Sequence, residues 1–74
     1  MSHITPQPPE KVCKVIEKLG FIQVRQKGSH IFYRHPDGRT TIVPFHKGEE
    51  ISKGLLLKIV RDCDISKEDF FGLL

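Results

Sequence analysis

No stretch of this chain approaches the roughly 20 consecutive apolar residues that span a bilayer. Its first residues, MSHITPQPPE, lack the positive-then-apolar layout of a secretory signal. The expectation is a cytoplasmic protein that has no business with a membrane. Cysteine is scarce: Cys13 and Cys63 are the only two, and neither belongs to a Cys-x-x-Cys pair that would serve zinc or disulfide exchange. Each lies in an apolar-periodic stretch, so both read as reduced core residues acting as small hydrophobes. The chain has no glycine-rich phosphate loop, no nucleophile-elbow serine, and no carboxylate cluster beyond Glu49-Glu50 and the scattered acids of the C-terminal segment. Phosphoryl transfer from a nucleotide is thereby disfavoured. His30, His35 and His46 lack the i, i+4 spacing of common helical metal sites and have no cysteine pair to join them. Neither a metal nor another cofactor is expected.

What is present fits one small domain. With 74 residues, a chain buries roughly 60% of its unfolded surface on folding. Val, Ile, Leu and Phe recur from residue 12 to residue 74, which argues against general disorder. The net charge of +3 says less than its distribution: residues 1–48 hold eight Lys and Arg against three acids, and residues 49–74 hold four against six. Between Phe21 and Gly48 stand Arg25, Lys27, Arg34, Arg39 and Lys47, opposed only by Asp37, together with His30, His35 and His46. Such a segment can meet a phosphate backbone. It can equally be a solvated sheet edge guarded by charge.

Pro6, Pro8 and Pro9 punctuate the start, so residues 1–8 read as a flexible lead-in, His3 included, and residues 9–74 as the domain. From Pro9 at a first helical position, Val12, Val15, Ile16 and Leu19 recur at helical spacing, and Gly20 supplies a left-handed helix end. FIQVRQ at 21–26 then alternates, with Ile22 and Val24 on one face and Gln23 and Arg25 on the other, as in a half-buried strand. Lys27, Gly28 and Ser29 make a turn into a second strand from His30 to His35. Pro36-Asp37-Gly38 makes another into RTTIVP, where Pro44 ends the strand or marks an edge. In the second strand Phe32 lies on one face and Ile31 and Tyr33 on the other. Alternation alone does not decide which face meets the helices, so the side of the sheet occupied by His30 stays open.

After the polar loop 46–50, Ser52 can cap a helix in which Leu55, Leu56, Ile59, Val60 and Cys63 form one apolar stripe. Ser66 with Asp69 caps a final short turn, in which Phe70 and Phe71 cover the edge of the core. The expected class is α+β, ordered α-β-β-β-α, with a three-stranded antiparallel sheet and both helices on one of its faces. That is the architecture of double-stranded RNA-binding domains.

His30 is the leading candidate for chemistry. It follows Gly28-Ser29 at a turn, where glycine lets a substrate backbone approach and turn N–H groups can point at an anion. An imidazole, with an ordinary pKa near 6.5, can take a proton from a ribose 2′-hydroxyl or return one to a leaving 5′-oxygen. Arg25, Lys27 and Arg34 are the nearest cations to steady the charge that develops on phosphorus. His46, at the start of a loop, offers a second acid or base, but a cap or loop contact is the favoured reading. From these residues alone, a plain polar turn residue is the slightly favoured reading of His30.

The string LGFIQVRQKGSHIFYRHPDGRTTIVPFHKGEEISKGLLLKIVRD closely resembles the HicA family of toxin mRNA interferases. The resemblance runs through Gly20-Phe21, Arg25, Gly28-Ser29-His30, His35-Pro36-Asp37-Gly38, Val43-Pro44 with His46, and Gly54 with Leu56 and Ile59, covering about residues 10–71. It implies a double-stranded-RNA-binding-like fold, metal-independent cleavage of mRNA, and a catalytic histidine at His30. Arg25, Lys27, Gly28, Ser29, Arg34, Arg39, His46 and Lys47 are then the expected RNA contacts. A HicB-like antitoxin is implied as partner, covering the active face and reaching operator DNA on the toxin's behalf. The alternatives are a non-catalytic double-stranded-RNA-binding module and a pure protein-interaction domain.

Overall fold

The computed structural model describes residues 4–74, and His3 lies outside them. The elements are α1 (Pro9–Lys18), β1 (Ile22–Lys27), β2 (His30–Arg34), β3 (Thr40–Pro44), α2 (Lys53–Cys63) and α3 (Lys67–Gly72). The three strands form one antiparallel sheet in the order β1-β2-β3. The expected α+β class and order hold, and the anticipated terminal turn is a short third helix.

Burial on β2 decides the layering. Ile31 and Tyr33 are buried, whereas His30 and Arg34 are exposed. On β3, Thr41 and Val43 are buried while Thr40 and Ile42 are exposed. The buried set joins Val12, Val15 and Ile16 of α1 and Leu56, Ile59 and Val60 of α2 in one core. Both helices therefore cover the same face of the sheet, and the other face is open. A strand's period of two leaves no choice after that: His30, Phe32 and Arg34 share the open face.

β1 departs from its sequence reading. Alternation predicted a half-buried strand, but all six residues are exposed, Ile22 at 61% and Val24 at 57%. Two causes combine. β1 is an edge strand and the helices lie over β3, with α1 and α2 both touching it. A bulge also interrupts pairing with β2: Gln23 faces Tyr33 but Arg25 faces Phe32, leaving Val24 as the extra residue. The face pattern flips there, so Arg25 and Lys27 join Ile22 on the open face, and Ile22 and Val24 line one shallow hollow with Arg34.

Polar anchors tie the layers together. The buried Tyr33 donates from its hydroxyl to Glu17 Oε2 at 2.9 Å, and Thr41 donates to Asp62 Oδ2 at 3.1 Å, joining β3 to α2. Tyr33 is a core residue with its polar tip satisfied. Cys13 and Cys63 are free and buried as read from sequence. Burial pushes the Cys13 thiol up and, with help from Asp62, that of Cys63 to about 11, so neither is a ready nucleophile. Within the lead-in read as flexible, Gln7 exchanges backbone hydrogen bonds with Ile51, at 3.2 and 2.7 Å. Pro9 begins α1, Ser52 caps α2 by accepting the Leu55 N–H, and Ser66 caps α3 by accepting that of Asp69.

The ends of α1 and α2 contrast. Gly20 follows α1 with φ +99°, where an added Cβ would sit 2.9 Å from His35 Nε2. Asp64 closes α2 in the left-handed region at φ 56°, the one non-glycine residue with positive φ among those described. Gly20→Ala should therefore cost about 1–3 kcal/mol of stability. Asp64→Gly should relieve about 0.5–1 kcal/mol of backbone strain. Thermal melts should move in opposite directions, by ~4–8 °C per kcal/mol for a domain of this size. Shifts of the same sign would refute the assignment of both helix ends.

Candidate RNA-binding face

The turn that presents His30 is a two-residue hairpin. Lys27 pairs with His30 across β1 and β2, and Gly28 takes φ +59° between them, a conformation that glycine adopts without a side-chain penalty. On the far side His30 pairs with Pro44 of β3. The pairing runs one step further, since the Phe45 backbone N–H donates to the Ser29 carbonyl oxygen at 2.6 Å. His46 follows at once, and its Nε2 lies 3.3 Å from Ser29 Oγ. Gly28, Ser29, His30 and His46 thus meet at one end of the sheet.

From there cations run along the open face. Lys27 stands opposite His30 on the neighbouring strand, Arg25 opposite Phe32, and Arg34 four residues along β2 on the face of His30. The Arg25 guanidinium carbon lies 4.4 Å from the centre of the Phe32 ring, a cation–π contact that keeps the arginine over the sheet. Ile42 flanks Phe32 from β3 and is 39% exposed. The surface is a positively charged, partly apolar plane with His30 at one end. It can hold phosphates through its cations and stack an unpaired base on Phe32. Phe32 and Ile42 were not singled out from sequence. The alternation of β2 carried the signal for Phe32, and only the position of the helices reads it.

Arg39, counted among the expected RNA contacts, is occupied elsewhere. Its Nε donates to both Asp37 oxygens, at 3.1 and 2.9 Å, its Nη1 donates to the Cys63 carbonyl oxygen, and its guanidinium lies over the Phe21 ring. It clamps the second hairpin to the end of α2. Its side-chain hydrogen bonds, then its backbone N–H, hold the Asp37 carboxyl below its ordinary value. That contribution to stability is present above the ordinary carboxyl range and is lost as pH falls through the lowered value. His35 is structural as well: its ring packs edge-on against Phe21, and its Nδ1 accepts the Asp37 backbone N–H at 3.1 Å. Lys47 is exposed on the turn beyond His46.

A hollow of about 580 Å³ lies between α2 and α3 against Leu57, Val60 and Ile65, and contains none of these groups. A nucleic-acid strand needs a charged plane more than a cavity, so the open sheet face is the better candidate. Among the described residues no three His, Cys, Asp or Glu side chains converge as a metal site would require. No helix among them is long and apolar enough to cross a membrane.

Comparison with known proteins agrees with the motifs. The family described as the HicA toxin of bacterial toxin–antitoxin systems matches residues 9–65, from the start of α1 to just past the end of α2. No curated protein sequence matches the chain.

The division between free and engaged cations is measurable. Arg39→Ala should lower the melting temperature by several degrees, because an N–H network on two elements is lost. Lys27→Ala, on the open face, should change stability by less than about 0.5 kcal/mol. Equal melting temperatures for the two variants would contradict the clamp.

Proposed function

The chain belongs to the HicA toxin family of bacterial toxin–antitoxin systems, and from that premise we propose that it is an endoribonuclease that cleaves mRNA with His30 as general acid or base. One observation carries the reading: His30 stands exposed on the open sheet face with Lys27 directly across from it and Arg34 on the same face. Cleavage by the adjacent 2′-hydroxyl needs a group that moves protons near neutral pH and a cation beside the phosphorane. Both requirements are met by side chains within one hairpin. Arg25, Lys27, Arg34 and Lys47 hold the RNA backbone, the Gly28-Ser29 turn admits it closely, and Phe32 stacks a base. The reaction needs no metal, since imidazole and cations supply the proton transfer and charge compensation.

A toxin of such a system has an antitoxin, and a HicB-like protein is the partner that this reading names. It silences the enzyme by covering the open face, where the RNA would otherwise lie. DNA enters only through that antitoxin, and the work is done in the cytoplasm, where mRNA is found.

Purified wild-type protein should cleave single-stranded RNA, and His30→Ala should lose about 10²–10⁴-fold in rate while melting at the same temperature. A chelator should leave the wild-type rate unchanged, and binding should weaken steeply with salt. Binding without cleavage by the wild type would instead favour a non-catalytic RNA-binding module, and a His30→Ala variant as active as wild type would remove the histidine from the mechanism.

A further inference from the structure

Cleavage of RNA by its own 2′-hydroxyl moves two protons, one off the attacking 2′-oxygen and one onto the departing 5′-oxygen. Resting on the endoribonuclease reading above, we infer that His46 is the second proton-transfer residue, the general acid opposite His30 as base, with Ser29 Oγ orienting its ring.

Backbone geometry brings His46 to the turn from which His30 leaves. His30 pairs with Pro44, and the hydrogen bond from Phe45 N–H to the Ser29 carbonyl oxygen prolongs the ladder to the turn itself. The next residue, His46, is therefore held beside Ser29, with Nε2 3.3 Å from the hydroxyl oxygen. Neighbours in sequence, Ser29 and His30, each address one of the two proton transfers: Ser29 through the ring it orients, His30 directly. The hydroxyl contact also fixes the direction of the His46 ring, as a ring nitrogen that must deliver a proton requires.

The charges around the two rings differ. His30 has Lys27 opposite it and Arg34 along the same face. His46 shares a hollow of about 260 Å³ with Glu49 and Glu50, its walls completed by Pro44, Ile51, Ser52 and Leu55. Lys47, next in the chain, is exposed. On this arrangement of charge His46, beside carboxylates, takes the acid's part and His30, beside cations, the base's.

The step then balances. The 2′-oxygen bonds to phosphorus as its proton passes to the neutral His30 ring. The bond from phosphorus to the 5′-oxygen breaks, and the His46 imidazolium protonates that oxygen. The products are a 2′,3′-cyclic phosphate and a free 5′-hydroxyl. His30 ends protonated and His46 neutral, and exchange with water resets both.

Replacing the scissile 5′-oxygen by sulfur tests the assignment, because a thiolate departs without being protonated. The substrates are two oligoribonucleotides spanning one mapped cleavage site, with oxygen or sulfur at the bridging position. His46→Ala and His46→Gln should cleave the oxygen substrate about 10²–10⁴-fold more slowly than wild type, yet come within about tenfold of it on the sulfur substrate. His30→Ala should be slow on both. The glutamine variant keeps a hydrogen-bonding group toward Ser29, and melts of all variants monitor folding. His46 variants that are equally slow on both substrates, or as fast as wild type on the oxygen substrate, would overturn the inference while leaving the His30 reading intact. A wild-type chain that leaves both substrates whole would overturn both.

Discussion

Everything on the candidate site follows from which side of β2 is buried. Ile31 and Tyr33 enter the core with α1 and α2, and the Tyr33 hydroxyl finds its partner in Glu17 of α1. Burial of an aromatic ring of that size is among the larger apolar contributions in so small a core, and a slip of one residue would expose it along with Ile31. The register is therefore strongly held. With it His30, Phe32 and Arg34 are held outward, because a strand cannot bury one set without exposing the other. The core and the site are two faces of one constraint.

The bulge at Val24 does for β1 what burial does for β2. Edge strands are commonly blunted by bulges and charge, and here the extra residue also re-aims side chains. After it, Arg25 and Lys27 stand opposite Phe32 and His30 on the open face. An unbroken alternation from Ile22 would have sent the two cations to the other side. The density of positive charge beside His30 thus depends on one unpaired residue on a strand that itself buries nothing.

The basic residues of the segment 21–48 divide into two kinds. Arg25, Lys27 and Arg34 are available to a ligand, whereas Arg39 joins Asp37, Cys63 and Phe21 into a clamp, and His35 packs against Phe21 and Gly20 in the same corner. The His35-Pro36-Asp37-Gly38 and Gly20-Phe21 motifs, which look functional in a string of letters, hold together the end of the sheet remote from His30. A flat charged face needs a rigid sheet more than a deep cavity, and this corner ties the sheet to the end of α2. The same flat face is one that an antitoxin can cover.

The sequence by itself determined the elements, their order, the two apolar helix stripes, the reduced cysteines and the Gly28-Ser29-His30 turn. Each of these depends on spacing or local chemistry: helical and strand periods, serine caps at Ser52 and Ser66, and glycine or proline at turns. The tertiary structure alone decided which face His30 occupies, that Phe32 and Ile42 lie beside it, that Arg39 is structural, and that His46 reaches Ser29. Those are facts about which residues meet across strands or across layers. Local periodicity carries no information on where a bulge falls or which face a helix will cover, since both are settled by packing between segments far apart in the chain.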